Sequence, residues 1–185
     1  MKRFEITDLG LGVKRVGLTI VGDTRGSLTR LFCAEELVSA GWNRPVAQVN
    51  WVENSNSGTA RGLHYQRQPY TEAKLLFCMT GEIKDVVVDI RRGSSTFLKH
   101  VSVSLSASLG HGILIPAGFA HGYQCLSETV SLIYFHDTAY EPTAERGLNL
   151  RDPRLAIEWP LPLENLSERD IRHAMIDENF EGEVV

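Results

Sequence analysis

The segment that decides the fold runs from Gly110 to His121 and reads GHGILIPAGFAH. Its β-rich part, residues 112–115, ends at Pro116-Ala117-Gly118. Proline and glycine together favour a tight turn, because proline fixes one backbone angle and glycine accepts conformations that other residues avoid. We therefore predict two strands joined at this turn. The side chain of His121, on the outgoing strand, is expected to point into the mouth of a barrel.

Short β-rich segments lie on both sides of this turn. They cover residues 74–79, 83–90, 96–105, 112–115 and 129–135, and turn signals such as Thr80-Gly81 and Arg92-Gly93 separate them. Strands of this length at roughly 8–12-residue spacing, with glycine and proline between them, are typical of an all-β sandwich or barrel.

Helical patterns are scarce. Residues 33–40 form the best early candidate and end at Gly41, a common C-terminal stop for a helix. Ser167 can cap a second helix that begins near Asp170. The predicted fold is therefore all-β, a jelly-roll barrel with a few short peripheral helices.

Composition excludes several classes of protein. The 185 residues suffice for one buried core, and no linker or repeat interrupts them, which predicts a single domain spanning residues 1–185. A net charge of −4 gives no basic excess for nucleic acid. We find no apolar run of the ~18 residues that a membrane span needs and no signal core, so we expect a cytoplasmic protein. The chain has an odd number of cysteines, and all three lie in apolar runs: Cys33, Cys78 and Cys125. This favours reduced thiols over disulfides.

The spacing Gly110-x5-Pro116-x-Gly118-x2-His121 resembles the second motif of the cupin family. The first cupin motif normally supplies two histidines and a glutamate to a metal. The matching segment here reads RGLHYQ over residues 61–66, with Gln66 in place of the second histidine. Two imidazoles without a third protein ligand make a poor transition-metal site. We therefore predict no metal and no cofactor, which leaves the barrel mouth free for acid–base chemistry.

At family level the chain resembles the dTDP-4-dehydrorhamnose 3,5-epimerases from about Leu11 to Asp170. The stretches that carry the resemblance are residues 61–66, 81–91, 115–122, 145–160 and 166–170, in order and at family spacing. The resemblance implies an isomerase that inverts C3 and C5 of a nucleoside-diphosphate-linked 4-keto-6-deoxyhexose through an enolate. The substrate's own ketone stabilises the carbanion.

Four residues match the family's catalytic set. Removing a proton next to a ketone needs a base within hydrogen-bond reach. The resemblance gives this role to His64 and pairs it with Asp170, which can orient the imidazole and support its protonated form. It makes Tyr134 the acid that returns a proton on the opposite face, and Lys74 the cation at the enolate oxygen. Read alone, each could be structural: a core histidine, a first-turn carboxylate, a packed aromatic and a solvated lysine.

Six further residues match substrate contacts. Arg25 and Arg61 are candidates for the diphosphate, because guanidinium groups bind such oxygens in pairs. Gln48 and Asn50 match a polar pair near the nucleotide base, Tyr140 matches an aromatic residue that stacks on the base, and His121 matches a pocket histidine. Each of the outer residues could instead be structural.

The match departs from the family pattern upstream of the barrel. Leu28 removes an aromatic ring, and Arg30 reverses a charge that we expect near the nucleotide. Trp51 and the residues that follow it also differ. The proton-transfer residues are intact, so the chemistry is better supported than the identity of the nucleotide or sugar. The resemblance also implies a homodimer in which an N-terminal strand is exchanged.

Three alternatives stay open. A single-position epimerase would act at C3 or C5 alone, on this or another nucleoside-diphosphate sugar. A cupin that only binds a sugar nucleotide would have no need of the whole proton-transfer set. A metal-dependent cupin oxygenase or isomerase is disfavoured by the missing second histidine.

Overall fold

The computed structural model describes residues 3–185. Strands dominate the described residues, and the helices are short. The strands are β1 (Phe4–Gly10), β2 (Val13–Leu18), β3 (Ile20–Asp23), β4 (Gly26–Thr29), β5 (Gln48–Asn54), β6 (Ala60–Gln66), β7 (Lys74–Thr80), β8 (Glu82–Asp89), β9 (His100–Ser106), β10 (His111–Ile115), β11 (Phe119–Cys125), β12 (Val130–His136) and β13 (Glu145–Gly147). The helices are α1 (Ala34–Leu37), α2 (Glu168–Arg172) and two 3₁₀ turns, Val38–Ala40 and Ala107–Leu109.

Two antiparallel sheets form the barrel. One has six strands in the order β1-β2-β10-β7-β12-β5, and the other has five in the order β13-β6-β11-β8-β9. Buried side chains from both sheets, such as Leu76 on β7 and Val87 on β8, belong to one core cluster. The sheets therefore pack face to face, as expected for a sandwich whose inner residues interdigitate. The prediction of an all-β jelly-roll barrel with few helices is confirmed.

The turn at Pro116–Gly118 joins β10 to β11 as the sequence predicts. Gly118 has a φ of +86°, and a Cβ atom at this position would lie 2.5 Å from Arg91 Cγ and from Val185. Both the backbone angle and the space therefore require glycine. The outgoing strand carries His121, whose side chain is buried.

The predicted strand over residues 96–105 begins later than expected, at His100. The side chains of Ser94 and Thr96 each donate a hydrogen bond of 2.6 Å to Asp89 Oδ2. This buried carboxylate thus holds the preceding residues in a loop. The predictions near residues 74–79, 83–90, 112–115 and 129–135 agree with β7, β8, β10 and β12 to within one or two residues.

Both predicted helical regions are present. The first consists of α1 and the 3₁₀ turn that follows it, and it ends at Gly41 with a φ of +107°. In the second, Ser167 caps α2 by accepting a hydrogen bond of 3.1 Å from the Asp170 backbone N–H.

The strands β3 and β4 form a separate two-stranded hairpin. Its residues Ile20, Val21 and Leu28 are exposed. Among residues 3–185, no helix has the length and apolar character that crossing a membrane demands. The three cysteines are free, with Cys78 and Cys125 buried and Cys33 half-buried.

Candidate active site

A cavity of about 450 Å³ opens between the two sheets. Its walls come mainly from β5, β7 and β12 of the six-stranded sheet and from β6 and β11 of the five-stranded sheet. Eight of the ten residues that the sequence singled out line it: Gln48, Asn50, Arg61, His64, Lys74, His121, Tyr134 and Tyr140.

His64 and Asp170 form a hydrogen-bonded pair at the wall of the cavity. His64 lies on β6 and lines the cavity, and its Nε2 atom is 2.6 Å from Asp170 Oδ1. Asp170, in the first turn of α2, is buried. Burial alone would raise the pKa of this carboxyl, but the hydrogen bond and charge of His64, with further hydrogen bonds from Ser167 and Gly62, hold it below its usual range. The partner of His64 is therefore an ionised, fixed carboxylate.

The strand that carries His64 lies against β11 at unusually close range. A Cβ atom on Gly62 would lie 2.5 Å from Gly122 Cα, and one on Gly122 would lie 2.5 Å from Arg61 O. No side chain fits at either position. This close approach also pairs His64 with His121 across the two strands.

His121 has a buried carboxylate partner of its own. Its Nε2 atom is 2.7 Å from Asp85 Oδ2, and Asp85, on β8, is fully buried. The other carboxylate oxygen, Oδ1, has no hydrogen-bond partner within residues 3–185. The five-stranded sheet therefore presents two histidine–aspartate pairs at neighbouring positions.

Tyr134 lies on β12, in the sheet that faces His64. Its ring is 5.9 Å from the ring of His121, between centroids. Burial raises the pKa of the Tyr134 phenol well above its usual value, and Tyr123 and Asp85 add to this effect. The phenol consequently keeps its proton at neutral pH and is available as a donor.

Lys74 is buried and ion-paired. Its Nζ atom is 3.1 Å from Glu72 Oε1 and donates a hydrogen bond of 3.4 Å to the carbonyl oxygen of His64. The other oxygen of Glu72 accepts a hydrogen bond of 2.7 Å from His136 Nδ1. Burial tends to raise the pKa of Glu72, but the charge of Lys74 and the contact with His136 outweigh it and hold the pKa at about 2. Glu72 is therefore ionised.

Polar side chains at the outer end of the cavity bind one another. Gln48 donates to Asn50 Oδ1 at 3.1 Å and accepts from the Tyr140 backbone N–H at 3.0 Å. Arg61 lies towards the opposite end of β5, where it donates to Asn54 Oδ1 at 2.8 Å. The ring of Tyr140 is half exposed at the cavity rim, where a planar ligand can lie against it.

Glu145 joins this outer group to the His64 pair. Its Oε2 atom accepts hydrogen bonds from the Tyr140 hydroxyl at 2.7 Å and from Arg169 NH1 at 2.6 Å. Arg169 NH2 also lies 3.4 Å from His64 Nε2. The Glu145 carboxylate and the Arg169 guanidinium therefore connect Tyr140 to His64.

The structure also brings together three potential metal ligands that the sequence analysis did not consider as a set. The ligand atoms of His64, Asp170 and His173 lie within 4.8 Å of one another. The positive charge of Arg169, whose Nε is 3.7 Å from Asp170 Oδ1, opposes a metal cation there. The two histidines considered above as metal ligands are His64 and His121, and each is hydrogen-bonded to a different carboxylate.

Arg25 does not line the cavity. It lies in the turn of the β3–β4 hairpin, where its side chain is 87% exposed and pairs with Asp23 at 2.6 Å. Leu28 on the same hairpin is exposed as well. Arg30, expected to bring a positive charge near the nucleotide, instead pairs with Glu36 of α1 at 2.7 Å.

Sequence reasoning missed six polar residues around the cavity: Glu72, Asp85, His136, Glu145, Arg169 and His173. Strand alternation could have found one of them, because residues two apart on a strand share a face and His136 follows Tyr134 by two positions on β12. Glu72 lies just before β7, so alternation does not apply to it. Glu145, Arg169 and His173 lie near the C-terminal side of the barrel, where no periodic pattern points to the cavity.

A jelly-roll barrel of two packed sheets, with a cavity lined by a carboxylate-paired histidine and a buried tyrosine, belongs to the cupin class of folds. The family model described as dTDP-4-dehydrorhamnose 3,5-epimerase matches residues 10–178. The chain therefore belongs to this family of isomerases, and the predictions of family, enzyme class and cupin-type fold are confirmed.

Individual relatives agree with this assignment. A dTDP-4-dehydrorhamnose 3,5-epimerase of Shigella flexneri is 39% identical over 156 residues, which are 82% of this chain and 84% of that protein. A dTDP-4-dehydro-6-deoxyglucose 3-epimerase of Streptomyces bikiniensis is 38% identical over 82% of this chain and 78% of its own length. A solved structure of dTDP-6-deoxy-D-glucose-3,5-epimerase from Legionella pneumophila, in complex with dTDP-4-keto-L-rhamnose, matches with a TM-score of 0.90 and 35% identity, over 98% of this chain and 99% of that chain.

Proposed function

We propose that this protein inverts C3 and C5 of a dTDP-linked 4-keto-6-deoxyhexose. The observation that carries the proposal is the placement of His64 and Tyr134 on facing walls of one cavity. Inversion requires that a proton leaves one face of the sugar and that another arrives on the opposite face. A base and an acid on facing walls meet this requirement at one carbon, and before the second inversion His64 loses its proton to solvent and Tyr134 regains one from it.

Proton removal falls to His64. The 4-keto group acidifies the hydrogens on C3 and C5, and the imidazole accepts one of them. Asp170, ionised and 2.6 Å away, stabilises the imidazolium that forms. The negative charge of the resulting enolate develops on the 4-keto oxygen, and the Lys74 ammonium is the buried cation that can stabilise it.

Proton return falls to Tyr134. Its phenol stays protonated because burial raises its pKa, so it can donate to the carbanion from the wall opposite His64. The ring of His121 touches the Tyr134 ring, and we assign His121 to the polar surface that contacts the sugar.

The nucleotide base occupies the outer end of the cavity in this proposal. Arg61 provides a guanidinium for the diphosphate, Gln48 and Asn50 provide amides for the base, and the exposed Tyr140 ring stacks on it. The dTDP-sugar in the structure of the Legionella relative supports this choice of ligand.

Inversion at a single carbon is the second candidate. The Streptomyces bikiniensis relative is named a 3-epimerase, and it is nearly as similar to this chain as the Shigella flexneri 3,5-epimerase is. Both reactions use a base and a returning acid, so His64 and Tyr134 serve either.

We further propose that the chain forms one domain and works as a homodimer. Large apolar side chains are exposed on the β3–β4 hairpin, and Trp51 is 71% exposed on β5, the last strand of the six-stranded sheet. Exposed apolar residues at a sheet edge favour pairing with another chain. In such a dimer Arg25 would reach the cavity of the partner copy. Analytical ultracentrifugation should show a dimer, and a monomer at micromolar concentration would contradict this part of the proposal.

The activity is tested with dTDP-4-keto-6-deoxyglucose in deuterated water, followed by NMR of the sugar. Deuterium at both C3 and C5 that is absent with His64→Ala supports the double epimerase. Deuterium at one carbon supports the single-position enzyme. Absence of exchange with wild-type protein would reject this substrate.

A further inference from the structure

A continuous chain of hydrogen bonds runs along the six-stranded wall of the cavity from its rim to Lys74. Its outer half begins at the Tyr140 backbone N–H, which donates to Gln48 Oε1 at 3.0 Å. Gln48 Nε2 in turn donates to Asn50 Oδ1 at 3.1 Å. Asn50 Nδ2 then lies 3.5 Å from His136 Nε2.

The inner half ends on a shared carboxylate. His136 Nδ1 is 2.7 Å from Glu72 Oε2, and Lys74 Nζ is 3.1 Å from Glu72 Oε1. His136 and Glu72 are both largely buried, with side chains about one-tenth exposed. The ring of His136 also stacks on that of Tyr134 at 5.9 Å. Two residues that the sequence analysis overlooked thus connect the proposed base-binding amides to the proposed catalytic lysine.

Both ends of this chain have a fixed polarity. A backbone N–H can only donate, and an ionised carboxylate can only accept. From the rim, the backbone N–H fixes Gln48 Oε1 as an acceptor, so Gln48 Nε2 donates to Asn50 Oδ1. Asn50 Nδ2 then faces His136 Nε2 as a donor, which makes Nε2 the acceptor and leaves the hydrogen on Nδ1 for Glu72. All links from the rim to Glu72 therefore run in one direction, and Lys74 donates to the same carboxylate from the other side.

We propose that Glu72 and His136 are positioning residues that hold Lys74 at the substrate ketone and couple its position to the occupancy of Gln48 and Asn50 by the nucleotide base. This inference rests on the proposed function. Each amide keeps unused hydrogen-bonding capacity, so a base can bind Gln48 and Asn50 without breaking the chain. Binding at the rim then restrains the amides, and through them His136, Glu72 and Lys74.

The kinetic test uses two variants that keep shape. Glu72→Gln removes the charge, and His136→Phe keeps a ring against Tyr134 but removes both nitrogens. Each should lower kcat by about 10- to 100-fold, because the enolate loses a well-placed cation. The KM and the dissociation constant for dTDP should change less than about threefold, since neither residue touches the nucleotide in this proposal. The double variant should be no worse than the more damaging single variant, because both act through one chain.

The exposed Glu128, which does not line the cavity, provides the matched control, and Glu128→Gln should leave both parameters unchanged. Fully additive losses in the double variant would overturn the inference. So would losses confined to KM, or a kcat within threefold of wild type in either single variant.

A second measurement is independent of turnover. Nitrogen-15 NMR of the ligand-free protein should show His136 neutral with its proton on Nδ1, and addition of dTDP should shift both ring-nitrogen signals. The Nε2–H tautomer, or signals that dTDP leaves unmoved, would overturn the inference even in an active enzyme. If the wild-type protein turned over no keto sugar, the proposed function would fail, yet the tautomer would still decide whether the hydrogen-bond chain exists.

Discussion

The cavity and the β3–β4 hairpin contain residues that the family resemblance assigns to one substrate site, yet they are built differently. In the cavity, His64, Lys74 and His121 each have a carboxylate partner from the same chain. On the hairpin, Arg25 pairs only with the neighbouring Asp23 and is almost fully exposed. Apolar residues such as Leu28 are uncovered there.

This difference separates two kinds of structural requirement. The register of β6, β7, β11 and β12 fixes the cavity side chains, so a single chain suffices to assemble the proposed proton-transfer groups. The hairpin pairs only with itself, and its apolar side chains find little cover in their own chain. We therefore expect substitutions in the cavity to damage chemistry, and substitutions in the hairpin to damage binding and assembly.

The largest effect is expected at His64. His64→Ala should lower kcat by about 10³-fold or more, because general-base catalysis alone supplies a factor of this order. Proton exchange from solvent, followed by NMR, measures it. A variant that kept a tenth of the wild-type rate would show that another group on this wall accepts the proton.

A smaller effect is expected on the facing wall. Tyr134→Phe keeps the ring but removes the phenol, and should lower the rate of inversion by about 10²-fold. Exchange with retention should suffer less, because His64 can return the proton to the face from which it came. Comparing the deuterium content of substrate and product separates the two rates. Equal losses of both would remove Tyr134 from the role of returning acid.

The hairpin should respond about tenfold and mainly in KM. Arg25→Ala removes one charged contact to the diphosphate, which is worth roughly 1.5 kcal/mol or more in binding.

Mixing the Arg25→Ala and His64→Ala proteins provides the sharper comparison. When the two proteins exchange subunits at random, half of the dimers contain one copy of each variant. If Arg25 serves the cavity of the partner copy, one of the two cavities in each of these mixed dimers has both residues intact. At substrate concentrations well below KM, where Arg25→Ala alone is about tenfold slower, the mixture should then reach about a quarter of wild-type activity. Absence of recovery would place Arg25 in its own chain's site or in none.

The last effect is on stability and not on activity, and it concerns the cavity alone. The pKa of Glu72 is held at about 2, below its ordinary value of 4.5, so the folded state binds its proton less readily than the unfolded state. The resulting stabilisation, roughly 3 kcal/mol at most, is present above pH 4.5 and is lost as the pH falls towards 2. Urea unfolding of wild type and Glu72→Gln should therefore differ at pH 7 and converge in acid. A constant difference between pH 7 and pH 3 would contradict the ion pairing.

Much of this cavity could be predicted from the sequence. The turn at Pro116 and Gly118 and the motif around His64 are local signals, and strand alternation then determines which neighbours face inward. His136 follows from the same rule, because it lies two positions after Tyr134 on β12.

The remaining residues depend on contacts that are distant in sequence. Asp170 could be assigned only through the family resemblance, because a helix of five residues has no pattern that shows where it docks. The segment after β12 brings three further residues to the cavity, namely Glu145, Arg169 and His173. No periodic pattern in the sequence predicts where this segment packs. The exposure of the hairpin could not be predicted either. Its glycine-rich turn indicates a hairpin, but the sequence does not show whether a second chain covers it.

The close contact between β6 and β11 limits how this enzyme can evolve. Positions 62 and 122 admit no side chain, so mutation there breaks the wall that carries His64 and His121 instead of adjusting it. Changes in the sugar that the cavity accepts must therefore arise at lining positions other than these two glycines.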